Sequence, residues 1–308
     1  MNRTQFIAMS LDVKKHPENL SKYRKLYKNV YLFSDGIFKI LMANEAKPER
    51  TVKFLNAMLG LTDKDAIKSF KFGVPENPGV LTDKTVIFDI YGTTEAGNPV
   101  LIEVQQNYNR HFIDRIIYYT SRVVSRTVKK SQTYRLPHIY VLALLTDNLF
   151  SQEKDCYFHH SQIIRNNKYA YDKLDIYFVE IEKFFDIEDR SPVEQRECSS
   201  RADMLRLFRD VLEEKEISDE KLKNLLDKDF LKDVSFKLYT DEILLKEFDG
   251  MIDLLYEREG AYFDAKAEDA KAMLAEGDSI EKVMRITKLT EKEVLELQAE
   301  LDEETVVN

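Results

Sequence analysis

The chain has only two cysteines in 308 residues, Cys156 and Cys198. They make no disulfide framework and show no metal-ligand spacing, which excludes a small stapled scaffold and predicts reduced thiols in a cytoplasmic protein. No apolar run approaches the roughly 20 residues that a membrane helix requires, so no membrane partner is expected. The opening stretch MNRTQFIAMSLDVKKHPENL has no continuous apolar segment, and a secretory signal is not predicted from it. The glycines form no phosphate-cradling loop of the Walker type. There is no internal repeat and no low-complexity tract. Positive charge is also in deficit overall, with a net charge of −9, which at first sight argues against a polyanionic partner.

The distribution of charge reverses that impression. From Asp241 to the end there are 8 Lys/Arg against 20 Asp/Glu, a net of −12, which leaves +3 for the first 240 residues. Between Leu101 and Tyr140 there are 7 Lys/Arg and 2 acids. A nucleic-acid substrate is therefore compatible with the charge pattern. The length allows one large core with a small appended domain, or two modest domains. A hydrophobic content of 44% is that of an ordered globular chain.

Along the chain, residues 1–30 are polar and basic and read as a helix or an N-terminal arm. Ser34-Asp35 marks a helix start. Pro48 and TVKFLNAMLGL mark a second helix, stopped by Gly60. IKSFKFG reads as a short strand and VPENPGVLTDK as a loop. KTVIFDIYG and PVLIEVQQN read as two strands around a TTEAGN turn. Residues 109–130 are predicted helical, with Phe112, Ile116, Tyr119 and Val123 at helical spacing. HIYVLALL has the continuous apolar character of a strand buried on both faces, and KLDIYFVEIEKFF reads as a further strand. From about Ser191 the composition turns to charged helices. The sum is an α/β core with helices on its faces.

The informative stretch is Val86 to Tyr119. It places Asp89 in one apolar run and Glu103 in the next, and burying a carboxylate is costly unless a cation or hydrogen bonds compensate it. Residues two apart on a strand share a face, so Glu103 and Gln105 point the same way, and a hairpin in ordinary register brings Asp89 to them. Two converging carboxylates with open positions suit Mg²⁺, and such an ion suits phosphodiester chemistry. Arg115, Arg122, Arg126 and Lys129 follow at spacings of 7, 4 and 3, on one side of a helix. They read either as a phosphate-tracking stripe or as the solvated face of that helix.

These residues carry a resemblance. The segments SDGIFK, KFLNAMLGL, VIFDIYG…GNPVLIEVQ, RIIYYTSRVVS and YRLPHIYVLALL resemble, in order and spacing, the PD-(D/E)XK nuclease superfamily. Within it they resemble the recombination-promoting nucleases, also described as transposases. The resemblance extends through YFVEIEKFF and GDSIEKVMRITKLTEKEV. It implies a restriction-endonuclease-like core, a mixed central sheet flanked by helices, followed by an α-helical C-terminal region. The implied organisation is an arm over 1–30, a nuclease domain over 31–190, and helices over 191–308 with a small helix-turn-helix-like end. It further implies a Mg²⁺-dependent DNA endonuclease (Mn²⁺ or Ca²⁺ being other candidate ions) associated with recombination or mobile elements.

Carried over residue by residue, the resemblance makes Asp89 and Glu103 the metal pair and puts Gln105 where the superfamily usually has lysine. Asp35 stands at the place of an acid on the first helix; it also reads simply as a helix-terminal acid favoured by the dipole. A neutral amide at 105 orients water but adds no charge, so a nuclease-fold protein that binds DNA or protein without cleaving is the alternative. His159-His160 reads as a loop pair without a ligand partner. Tyr118 and Tyr119 read as packing residues, since nothing nearby activates a phenol. Thr290 and Glu293 fit a capping box. The helix that follows is too acidic to read DNA, which favours a protein contact or a homodimer through the C-terminal helices.

Overall fold

The computed structural model describes every residue except 78–85, 107–110, 128–134, 167 and 308. Two compact units are present, Met1–Ile252 and Asp253–Asn308.

The larger unit opens with helices α1 (Arg3–Lys15), α2 (Leu20–Leu26), α3 (Asp35–Met42) and α4 (Pro48–Leu59). The polar, basic segment at the start is helical and seated, with Phe6, Met9 and Val13 of α1 buried. Strands β1 (Phe70–Phe72), β2 (Glu76–Asn77), β3 (Val86–Ile87), β4 (Ile90–Thr94) and β5 (Pro99–Gln105) follow. Next come α5 (Phe112–Thr127), β6 (Ile139–Leu145), β7 (Phe158–Arg165), β8 (Lys168–Glu180) and α6 (Ile181–Arg190). The unit closes with α7 (Ser200–Leu212), α8 (Asp219–Leu225), α9 (Phe230–Asp233) and the first part of α10 (Asp241–Ala275).

Six strands form one mixed sheet in the order β1-β4-β5-β6-β8-β7. β5, β6 and β8 run parallel, while β1, β4 and β7 are antiparallel to their neighbours. β2 and β3 pair separately. β6 is the apolar strand expected from HIYVLALL, and α5 lays Phe112, Ile116 and Val123 into a core shared with Leu101, Val141, Ala143 and Phe178. The tight β4–β5 turn depends on Gly97, whose φ of +76° lies in the left-handed region that a side chain disfavours.

Three elements differ from the sequence reading. KTVIFDIYG is not one strand: the ladder breaks at Phe88 and Asp89 between β3 and β4. KLDIYFVEIEKFF changes state at Ile181, where β8 gives way to α6, because IEKFF repeats its apolar residues at helical rather than alternate spacing. His159 and His160 lie on β7 rather than in a loop.

A polar clamp ties α4 to α9 and to the segment between α8 and α9. Arg50 is fully buried; its Nε and Nη2 bind Asp227 at 2.5 and 3.1 Å, and Nη2 also binds Asp233 at 2.5 Å. Nη1 donates to the Leu41 carbonyl at 3.1 Å, and the guanidinium lies over the Phe230 ring.

The smaller unit holds the rest of α10, α11 (Ile280–Thr287) and α12 (Glu291–Val307) around Ala270, Leu274, Val283, Leu289, Val294 and Leu297. Its capping box forms as expected: Glu293 accepts from the Thr290 amide at 2.7 Å, and Thr290 Oγ1 accepts from the Glu293 amide at 3.4 Å. Among the described residues no helix is long and apolar enough to cross a membrane.

Candidate active site

The strand break at Asp89 creates the site. Ile90 pairs with Ile102 in the β4–β5 ladder, so Asp89 and Glu103 are the next facing positions. Instead of continuing the ladder, the two carboxylates accept from backbone amides on the opposite segment. The Asp89 amide donates to Glu103 Oε1 at 3.2 Å, and Asp89 Oδ2 accepts from the Val104 amide at 2.6 Å. Each carboxylate thus satisfies a backbone donor that the broken ladder leaves over.

Both acids are enclosed. The Asp89 side chain is 11% exposed, and Glu103 is 3% exposed. Burial, followed by the nearby Asp35 charge, pushes the Asp89 carboxyl up to about 6, against the opposing pull of Lys39. Burial and then the neighbouring Asp89 push Glu103 well above the usual carboxylate range, with Arg115 opposing. Two carboxylates held this way are short of positive charge.

Lys39 supplies part of that charge, and the sequence reading missed it. It stands one turn after Asp35 on α3, and its Nζ lies 3.0 Å from Asp89 Oδ1 and 2.9 Å from Asp35 Oδ1. Burial works against its ammonium, but Asp89 and Asp35 outweigh that and leave its pKa raised. The signal was present in SDGIFK, where Asp35 and Lys39 are four apart on a short helix, a spacing that puts both on one face.

The helix that carries them is fixed from behind. Glu247 of α10 accepts from the Gly36 amide at 3.0 Å, capping the N-terminus of α3. A Cβ at position 36 would lie 2.1 Å from Glu247 Oε1, so a larger residue there would displace the Glu247 carboxylate from this cap.

Gln105 is the half-exposed last residue of β5, and its Oε1 accepts from an Arg115 Nη. Arg115 rests over the Phe112 and Tyr119 rings, with its guanidinium carbon 4.9 and 5.8 Å from their centroids. The first arginine of the expected stripe is therefore directed at the sheet and the amide. Arg122 is half-buried and Arg126 exposed on the same helix, while Lys129 lies outside the described residues. The structure brings together Asp35, Lys39, Asp89 and Glu103 in one chain of contacts, and joins Gln105 to Arg115.

The model of the PD-(D/E)XK nuclease family transposases matches residues 32–267. The chain belongs to this family. The match begins just before α3 and spans the whole mixed sheet. PD-(D/E)XK nucleases generally use divalent metal ions, and an oxygen-donor pair that burial makes hungry for positive charge is what such an ion requires. Comparison with curated proteins and with solved structures gives no match.

A pH dependence follows from the raised carboxyls. A carboxyl whose folded pKa exceeds its unfolded value is protonated in the native state where the unfolded chain has already released its proton. The native state therefore loses stability as pH rises from about 4 through 6, and the loss persists above that. In chelator-treated protein, the stability gap between Asp89→Asn and wild type is expected to widen across this range. Thermal melts from pH 4 to 8 check it, and a gap independent of pH would contradict it.

Proposed function

We propose that this protein is a divalent-metal-dependent DNA endonuclease, with Mg²⁺ as its working ion and Asp89 and Glu103 as the residues that hold it. The observation that carries the reading is the facing pair of buried carboxylates, both held short of positive charge, at a break in the sheet of a PD-(D/E)XK family member. When bound, such an ion neutralises phosphoryl charge and lowers the pKa of a coordinated water.

The chain's own groups do the rest. The Gln105 amide, oriented by Arg115, positions water at the end of β5. The amide carries no charge, and Lys39 compensates from the other side: its ammonium, anchored by Asp35, is the cation that stabilises negative charge developing on phosphate. Arg122 and Arg126 extend positive charge along α5 for the DNA backbone. A role in recombination or mobile-element movement fits the family description.

Incubation with supercoiled plasmid tests the reading: nicked or linear product is expected with Mg²⁺ or Mn²⁺ and none with chelator. Plasmid retention without cleavage under every metal tried would favour a binding module instead, a reading motivated by the glutamine at 105. Lys39→Met is expected to slow cleavage by about 10²–10³-fold while metal binds as tightly or more tightly, because a competing ammonium has left Asp89. If Lys39 only plugs the site, cleavage would rise in the same variant.

A further inference from the structure

We propose that Glu153, Cys156 and His159 form a zinc site on the edge strand of the sheet, separate from the carboxylate pair. β7 is the last strand in the order, three places along from β5. His159 is its second residue, and Glu153 and Cys156 lie on the turn leading into it. One ligand atom from each of the three lies within 4.8 Å of the other two.

The two edges that meet at His159 Nδ1 are close to the metal's demands. Zinc bonds of about 2.3 Å to sulfur and 2.0–2.1 Å to nitrogen and oxygen give tetrahedral edges of about 3.6 Å for S···N and about 3.3 Å for N···O. Here Cys156 Sγ is 3.9 Å from His159 Nδ1, and Glu153 Oε2 is 3.6 Å from the same nitrogen. Each needs to close by only a few tenths of an ångström.

The imidazole is also set in the tautomer that a metal needs. His159 Nε2 lies 2.9 Å from Oε2 of Glu180, which is fully buried. A carboxylate offers only lone pairs, so Nε2 carries the hydrogen, and in the neutral ring Nδ1 then holds the lone pair that faces the thiol and Glu153. A carboxylate behind a ligating histidine is the usual orienting partner at zinc sites.

Glu180 and Lys183 also hold the turn. Glu180 Oε1 accepts from the Phe150 amide at 3.0 Å, and Lys183 bonds Glu180 and donates to the carbonyls of Phe150 and Glu153 at 2.8 and 3.2 Å. The ligand-bearing turn is thus fastened to the residue that orients the histidine. Thiol, imidazole and carboxylate together select zinc over magnesium, which takes oxygen donors. On binding, the Cys156 thiol, which donates to the Phe158 carbonyl at 3.1 Å, releases its proton to solvent. Three protein ligands leave a fourth position for water.

The fold places Cys156 and Glu153 near His159, neighbours that the sequence reading did not give it. The spacing Glu153-x-x-Cys156-x-x-His159 was visible, but it acquires meaning only when the turn folds back on β7.

Cobalt(II) is the probe, added to the full-length chain after chelator treatment. A thiolate-to-cobalt charge-transfer band in the near ultraviolet is expected, with intense tetrahedral visible bands, both displaced by Zn²⁺. Cys156→Ser, a near-isosteric change at a half-buried position, should abolish the charge-transfer band with the melting curve of the apo protein unchanged. Glu180→Gln, at a positioning residue, should weaken cobalt affinity by about 10–100-fold, while Glu103→Gln should leave the band in place. No charge-transfer band in the wild type would overturn the proposal. So would a band that survives Cys156→Ser and disappears in Cys198→Ser.

Discussion

Glu103→Gln is expected to move stability and activity in opposite directions. Without metal at neutral pH, the variant should be more stable than wild type, because burial and the neighbouring Asp89 hold the Glu103 carboxyl well above its usual range and an amide removes that burden. It should also cleave plasmid DNA at least about 10³-fold more slowly, because an interaction worth several kcal/mol to the transition state has gone. The reason is common to both effects. Glu103 is buried beside a second carboxylate, Asp89, so ionising it is unfavourable in the metal-free fold, even with Arg115 and Lys39 nearby, and becomes favourable when a divalent cation binds. The amide retains an oxygen that accepts from the Asp89 amide, as Glu103 Oε1 does, so the strand break survives the change. Thermal melts and single-turnover cleavage on one preparation check both halves. A variant both destabilised and inactive would mean that Glu103 is chiefly a structural residue.

Arg50→Ala is expected to cost about 3–5 kcal/mol of stability, the cost of removing one partner from a buried charge cluster. Burial by itself would raise Asp227 and Asp233, but hydrogen bonds from Arg50, and for Asp233 from Lys47 as well, hold both carboxyls below their usual range. Removing the guanidinium leaves two part-buried anions and an empty space against Phe230. The stability that these carboxylates confer is present above about pH 4, where the unfolded chain is ionised, and is lost as pH falls through their lower folded values. Arg50→Lys should recover only part of the loss, because one ammonium cannot reproduce the fork that reaches Asp227, Asp233 and the Leu41 carbonyl together. Urea denaturation measures both variants; a loss below about 1 kcal/mol for Arg50→Ala would place the cluster with ordinary surface ion pairs.

What was legible in the sequence was whatever a local pattern encodes. Continuous apolar character disclosed β6, helical spacing disclosed α5, and strand parity with a turn between them brought Asp89 opposite Glu103. The order of these segments was enough to reach the family. What stayed hidden depends on contacts distant in sequence. Nothing in TVKFLNAMLGL or the arginine before it announces that Arg50 meets Asp227 and Asp233. Lys39 looked like an ordinary helix cation until the fold put Asp89 at its tip. The break in KTVIFDIYG was unreadable because Asp89 leaves the ladder only to satisfy the Val104 amide, a bond made by the next strand. Likewise the helical spacing of Ile181, Phe184 and Phe185 is short enough to pass for the end of an apolar strand, and their burial on one face of α6 is what separates them from β8.

The most direct test is a calorimetric titration of Mg²⁺ into wild-type protein, Asp89→Asn and Glu103→Gln near neutral pH, in buffers of different ionisation enthalpy. Binding to the wild type with release of protons is expected, since carboxyls held up by burial must ionise to take the metal. Both variants are expected to lose that binding while staying folded. Equal Mg²⁺ binding by all three proteins would contradict the assignment of Asp89 and Glu103 as the metal pair.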